Sequence, residues 1–263
     1  MRELQRALEA ARIIDLAQPY YPGMPHHPHH PPFVYGLSKA HGESSWRGVS
    51  AAGDAISLGG HVGTHIDALC HFSLRGKLFG GADAVGCQSY TLGISAHHVD
   101  TIQPIFRRCV LLDVAATQGE EVLPPDFVID ADCLERAAER AGVRPGPGDI
   151  ALVRTGWGRF WHDPGRYINS LRCPGVNLDA ACWLSSLGVF AGGSDTIAFE
   201  FLPAKGMPVH VHFLVESGIH IIEALDLEGL AKAGIHEFVF AAAPLRLPGA
   251  TGSPIRPVAL CTR

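Results

Sequence analysis

Six prolines stand at positions 19, 22, 25, 28, 31 and 32, inside the run PYYPGMPHHPHHPPF. Each fixes its own φ near −65° and lacks an amide N–H, so the run cannot be regular helix or central strand. A rigid, extended arm over residues 18–34 is expected instead. Glycine and proline are abundant throughout, 30 and 19 of 263 residues, which implies many turns and excludes a plain helix bundle.

The remaining pattern alternates only late in the chain. A short amphipathic helix is expected at 3–12 and a strand at Ile13–Ala17. Runs rich in Val, Ile and Leu, bounded by Gly and Pro, predict further strands at 109–114, 149–155, 188–191, 219–223, 236–243 and 256–261. Helical spacing predicts 131–141, capped by Asp130 or Asp132 and ended by Gly142, and 178–187, which follows Asn177. Further helices are expected at 208–217 and 226–233. The first 115 residues read as strands and loops. Together these predict an α/β fold in one domain over 1–263, a β-rich mixed sheet with flanking helices. The chain is long enough to bury its own core without disulfide staples.

Charge and cysteine usage narrow the partners. The formal charge is −5, and no block of Lys and Arg is dense enough to track a phosphate backbone, so nucleic acid is excluded. Seven cysteines, an odd number, include no CxxC pair, and reduced thiols in a cytoplasmic protein are expected. Charges at Arg2, Glu3, Arg6 and Glu9 interrupt the N-terminus, which therefore lacks the apolar core of a signal peptide. No later stretch reaches 18 apolar residues, so no membrane span is expected.

Fifteen histidines are a marked excess, and imidazole is the commonest metal ligand. Three of them fall in GGHVGTHIDALCHF, where His61, His65, Asp67 and His71 follow HxxxHxDxxxH. No single regular element can gather these groups. On a helix Asp67 turns roughly 160° away from His65. On a strand all four share a face, but His61 and His65 sit roughly 13 Å apart. A bend at Gly63, which is free to take positive φ, would bring His61, His65 and Asp67 together. Two imidazoles and a carboxylate suit Zn²⁺, Mn²⁺ or Fe²⁺, and three protein ligands leave room for a water whose pKa the metal lowers to about 7. His71 is then a candidate general acid or base.

The segment HVGTHIDALCHF, preceded by GG, resembles the signature of the metal-dependent cyclase or kynurenine formamidase-like hydrolases, whose relatives include isatin hydrolases. The likeness continues, in the family's order, through IIDLAQPYYPGMP, LVRTGWGRFW at 152–161, PGVNLDAACWL at 174–184, GGSDTIAFE at 192–200 and VHVHFLVESGIHIIEALDL at 209–227. It implies a swivelling β/β/α fold, hydrolysis of an amide C–N bond at one or two divalent ions (Zn or Mn) per subunit, a small-molecule substrate, and a homodimer or homotetramer. By that likeness His61, His65 and Asp67 bind metal and His71 transfers protons. A later His and Glu complete the set: Glu223 fits, with His210 as the choice before it and His212 as the competitor. Positions i and i+2 of a helix cannot face one site. A cyclase or lactone hydrolase, or a metal-bearing binding protein without turnover, stands as the alternative. The chain departs from the family at Leu69, where many members have Pro, and at His27, where kynurenine formamidases carry Trp.

Two further features bear on substrate. His26, His27, His29 and His30 either form a solvated loop or line the mouth of the site, with His27 the candidate substrate contact. Trp157 and Trp161 either wall an aromatic-substrate pocket or pack in the core, with Trp157 the candidate contact. GPGDIA at 146–151 precedes a strand and so reads as a turn and not a dinucleotide loop. The chain has no GxSxG elbow and no GxxxxGK[ST] loop.

Overall fold

The computed structural model describes residues 1–261. Its centre is a nine-stranded mixed sheet built from Arg12–Asp15 (β1), His65–Asp67 (β2), Ile105–Asp113 (β3), Ile150–Arg154 (β4), Ala191–Ser194 (β5), His220–Glu223 (β6), Glu237–Ala242 (β7), Gly252–Pro254 (β8) and Val258–Cys261 (β9). The spatial order is β1-β9-β7-β3-β4-β5-β6-β2-β8. From β3 to β6 neighbours run parallel, and every other pairing in the sheet is antiparallel.

The parallel strands are covered on both faces, which explains their continuous apolar reading. Val110, Leu112, Ala151 and Val153 point into one core, against the helices Ala131–Ala141 (α1) and Leu178–Ser186 (α2). Their neighbours Cys109, Leu111, Ile150 and Leu152 point into a second core on the opposite face. The caps are local: Asp130, not Asp132, accepts from the Cys133 amide at 2.9 Å, and Asn177 accepts from that of Ala180 at 2.9 Å.

Several boundaries differ from the sequence pattern: the strand expected at 109–114 runs over Ile105–Asp113, and two further differences have a local cause. The strand expected at 188–191 begins only at Ala191, because Gly188 (φ +72°) still belongs to the turn that ends α2. Its Gly192 and Gly193 resemble a turn in sequence but are close-packed strand. A Cβ on Gly192 would lie 2.7 Å from the Phe213 ring, and one on Gly193 2.8 Å from the Ile222 carbonyl. The helix expected at 208–217 is one α-turn, Pro208–His210, that continues as a π-helix over Val211–Ser217.

The proline-rich run takes no regular structure and lies against its own chain. Tyr20, Tyr21 and Phe33 pack on a third apolar cluster containing Met24, Trp157, Trp161 and Tyr167. The Tyr21 hydroxyl donates to the Trp161 carbonyl at 2.8 Å, and the Trp161 indole donates to the Pro19 carbonyl at 2.8 Å. The aromatic rings of the arm are thus supported without a second subunit. A separate hairpin, Val34–Lys39 with Gly53–Ser57, follows the arm.

Candidate metal centre

The site is assembled where β2 lies between β6 and β8. Alternation along β2 places His65 and Asp67 on one face and buries Ile66 in the core on the other. The antiparallel register sets Glu223 directly opposite His65. Gly63 has φ +70°, and the chain turns back there so that His61 Nδ1 comes to 2.6 Å from Asp67 Oδ1. The expected bend is therefore present. Tyr20 clasps it, its hydroxyl lying 2.8 Å from the Val62 carbonyl and 2.9 Å from that of Thr64. The Thr64 hydroxyl accepts from the Gln18 amide and donates to the Ala224 carbonyl, which ties the bend to the end of β6.

Two donor groups result. One ligand atom from each of His61, His65 and Asp67 lies within 4.8 Å of the others, and the same holds for Asp67, His210 and Glu223. All five residues are buried. Asp67 belongs to both groups, so they are adjacent. His212 lies elsewhere: its ring contacts the Ser185 hydroxyl at 2.8 Å and Glu216 at 3.1 Å. The geometry thus separates His210 from its competitor.

Whether these donors suit a cation can be tested on their lone pairs. His65 Nδ1 lies 2.8 Å from the Gly63 carbonyl, which can only accept, so Nδ1 carries the proton. The other nitrogen, Nε2, has no hydrogen-bond partner and stands 3.5 Å from Asp67 Oδ1 and 3.4 Å from Glu223 Oε2. Asp67 Oδ2 is also buried and unpartnered. Lone pairs converging in a dry site repel unless a positive charge stands among them. A divalent ion meets that need, and the donor set fits it.

The electrostatics agree. Burial opposes charge on His65, but Asp67 and Glu223 outweigh it and raise its pKa. Burial also opposes ionisation of Asp67, yet the imidazoles of His71, His61 and His65 hold its carboxyl well below the usual range. His210 is pushed up to about 10, burial being overcome by Glu200 and Glu223. His71 behaves in the opposite way. Burial and the imidazoles of His61, His210 and His65 push it down to about 3 against the pull of Asp67, so it is neutral at pH 7. It stacks on His61 with ring centroids 3.8 Å apart.

His61, His65, His71, His210 and Glu223 line a cavity of about 430 Å³. His27, His29 and His30 of the arm are among the residues that line it, and His26 is not. Burial, with His61 and His27 nearby, lowers His30 to about 4. The opposite wall is apolar and includes Leu171, Ile197, Leu202 and Met207. Trp157 is not part of that wall. Its indole donates to the Tyr167 carbonyl at 2.9 Å within the third cluster, so core packing claims it. Asp195 likewise serves structure, accepting from the Thr155 and Gly156 amides at 2.9 and 2.8 Å. Glu200, which the sequence reading did not single out, accepts from the His210 ring at 2.7 Å. Its only signal was its place at the end of GGSDTIAFE.

The Cyclase family model matches residues 14–201. The isatin hydrolase of Roseibium aggregatum is 30% identical over 209 residues, 77% of this chain and 72% of that protein. A kynurenine formamidase of Bacillus cereus is 28% identical over 251 residues, 95% of this chain and 98% of that protein. A crystal structure of a novel cyclase superposes with a TM-score of 0.89 at 28% identity, covering 99% of this chain and 90% of that one. An isatin hydrolase bound to the product analogue thioisatinate shares the fold, with a TM-score of 0.79 at 23% identity over 100% and 97% of the two chains. With its HxxxHxDxxxH residues gathered at one buried centre, the chain belongs to the cyclase family, and its relatives are hydrolases.

Proposed function

We propose that this protein hydrolyses the C–N bond of a small amide, an aryl formamide or a cyclic amide, with His61, His65, Asp67, His210 and Glu223 holding one or two divalent ions. The observation that carries this reading is the pair of buried donor groups that share Asp67, four of whose five residues line one cavity. Zinc or manganese bound there would supply Lewis acidity toward a carbonyl oxygen and lower the pKa of water toward about 7.

The chain's own residues account for the remainder. His71, neutral at pH 7, accepts a proton from the attacking water and returns it to the leaving nitrogen. The water oxygen bonds to the carbonyl carbon and the C–N bond breaks, giving a separate acid and amine from a linear amide and a single ring-opened amino acid from a cyclic one. The apolar wall orients the substrate's ring, and His27 and its neighbours meet its polar edge. No Lys or Arg lines the cavity among the described residues, which favours an uncharged substrate.

Strands drawn from residue 12 to residue 261 in one sheet support a single domain. All seven cysteines are unpaired, which supports a reducing, cytoplasmic setting. Among the described residues no helix is long and apolar enough to cross a membrane. Exposed Leu37, Trp46, Val49 and Ile56 on and beside the hairpin support a homodimer or homotetramer.

The test is a panel of formamides, lactams and lactones offered to zinc- or manganese-loaded protein, read by acid release and product mass. A cyclic amide is expected to gain one water, and a formamide to split into formate and its amine. Loss of water would favour the cyclase reading, and no mass change on any compound would favour a binding protein.

A further inference from the structure

We infer that Glu200 is the positioning residue for His210, fixing the tautomer and orientation of that imidazole so that the Asp67–His210–Glu223 group can hold a cation. The inference rests on the metal-centre reading above and goes beyond it, because Glu200 is not itself one of the donors.

Glu200 is 1% exposed. Its Oε1 accepts from the His210 backbone amide at 3.0 Å and faces His210 Nδ1 at 2.7 Å. A carboxylate offers only lone pairs, so Nδ1 must carry the proton. On cation binding the lone pair is thereby assigned to Nε2, which lies 3.2 Å from Glu223 Oε1. Imidazole ligands commonly donate their second N–H to such a carboxylate, which fixes the ring plane and raises the basicity of the ligating nitrogen. The other oxygen, Oε2, is buried without any partner.

The preceding residue acts on the other donor. The Phe199 amide donates to Glu223 Oε1 at 2.8 Å. Consecutive residues of one segment therefore hold both His210 and Glu223. That segment is itself anchored to Val176, whose amide donates to the Phe199 carbonyl and whose carbonyl accepts from the Phe201 amide at 3.0 Å. The contact to the His210 amide alone would make Glu200 a helix cap; the ring contact gives it a second role, and the two roles can be separated.

Glu200→Gln keeps the size and an accepting oxygen but removes the charge. Metal-free protein is titrated with Co²⁺, following the ligand-field absorption bands and the dissociation constant, in wild type, Glu200→Gln, His210→Ala and the double variant. Glu200→Gln is expected to weaken cobalt binding by about 10- to 100-fold and to alter the band pattern. In the His210→Ala background the same substitution is expected to have no further effect. Wild-type affinity and spectrum in Glu200→Gln would overturn the inference, as would an equal loss in both backgrounds, the mark of a purely structural role. Wild-type protein that takes up no cobalt would overturn the metal-centre reading, and this inference with it.

Discussion

Gly63→Ala tests the bend on which the centre depends, and its cost can be worked out in two parts. Gly63 has φ +70°, and an L-residue in that left-handed region costs about 1–2 kcal/mol. An added Cβ would also overlap the Tyr20 ring, whose hydroxyl is held between the Val62 and Thr64 carbonyls and cannot withdraw freely. Overpacking of this kind costs about 1–3 kcal/mol. The substitution should therefore destabilise the metal-free protein by about 2–5 kcal/mol in urea unfolding, and cobalt uptake should weaken as His61 is carried away from Asp67. In a Tyr20→Ala background the overlap is gone, and Gly63→Ala should cost only the backbone part, about 1–2 kcal/mol. Wild-type stability for Gly63→Ala, or an identical cost in both backgrounds, would refute the reasoning.

Three substitutions separate the other roles. Asp67→Ala removes the carboxylate common to both donor groups and should abolish stoichiometric zinc or manganese in protein purified without chelator, as read by elemental analysis. His71→Ala should retain that metal while kcat falls by about 10²–10⁴-fold, the usual range for a lost proton-transfer group. Trp157→Phe should leave KM unchanged, since Trp157 does not line the cavity, and should cost about 1 kcal/mol of stability for the lost bond to the Tyr167 carbonyl. A raised KM in that variant would restore Trp157 to the substrate wall.

What the sequence made legible follows from how local each interaction is. His61, His65 and Asp67 lie within seven residues, so strand and helix geometry alone showed that a bend was required and that Gly63 could make it. The buried stretches 109–113 and Ile150–Arg154 were legible because parallel, doubly covered strands are apolar on both faces, whereas 105–108, which pairs only antiparallel and exposes Phe106, was not. The strand Ala191–Ser194 was misplaced because its glycines are dictated by Phe213 and Ile222, which approach from distant segments. Trp157 was ambiguous for a related reason: an indole suits a pocket wall or a core equally, and only the Tyr167 carbonyl decides between them.

Glu200 marks the boundary of such reading most clearly. Its neighbours in sequence say nothing of His210 ten residues on, and no periodicity relates them, since a loop intervenes. Yet the charge arithmetic of the finished site calls for it. His210 has a carboxylate on each side, Glu200 at Nδ1 and Glu223 at Nε2. In the metal-free protein that sandwich favours an imidazolium, which is why its pKa rises to about 10. A cation entering between His210 and Glu223 must therefore displace a proton from Nε2 while Glu200 keeps the one on Nδ1. His71 has no such carboxylate at its ring among the described hydrogen bonds and stays neutral under the same burial. Two histidines of one cavity thus divide the work, one arranged to hold a positive charge and the other to remain free to take up a proton, and the difference lies in the carboxylates beside each ring.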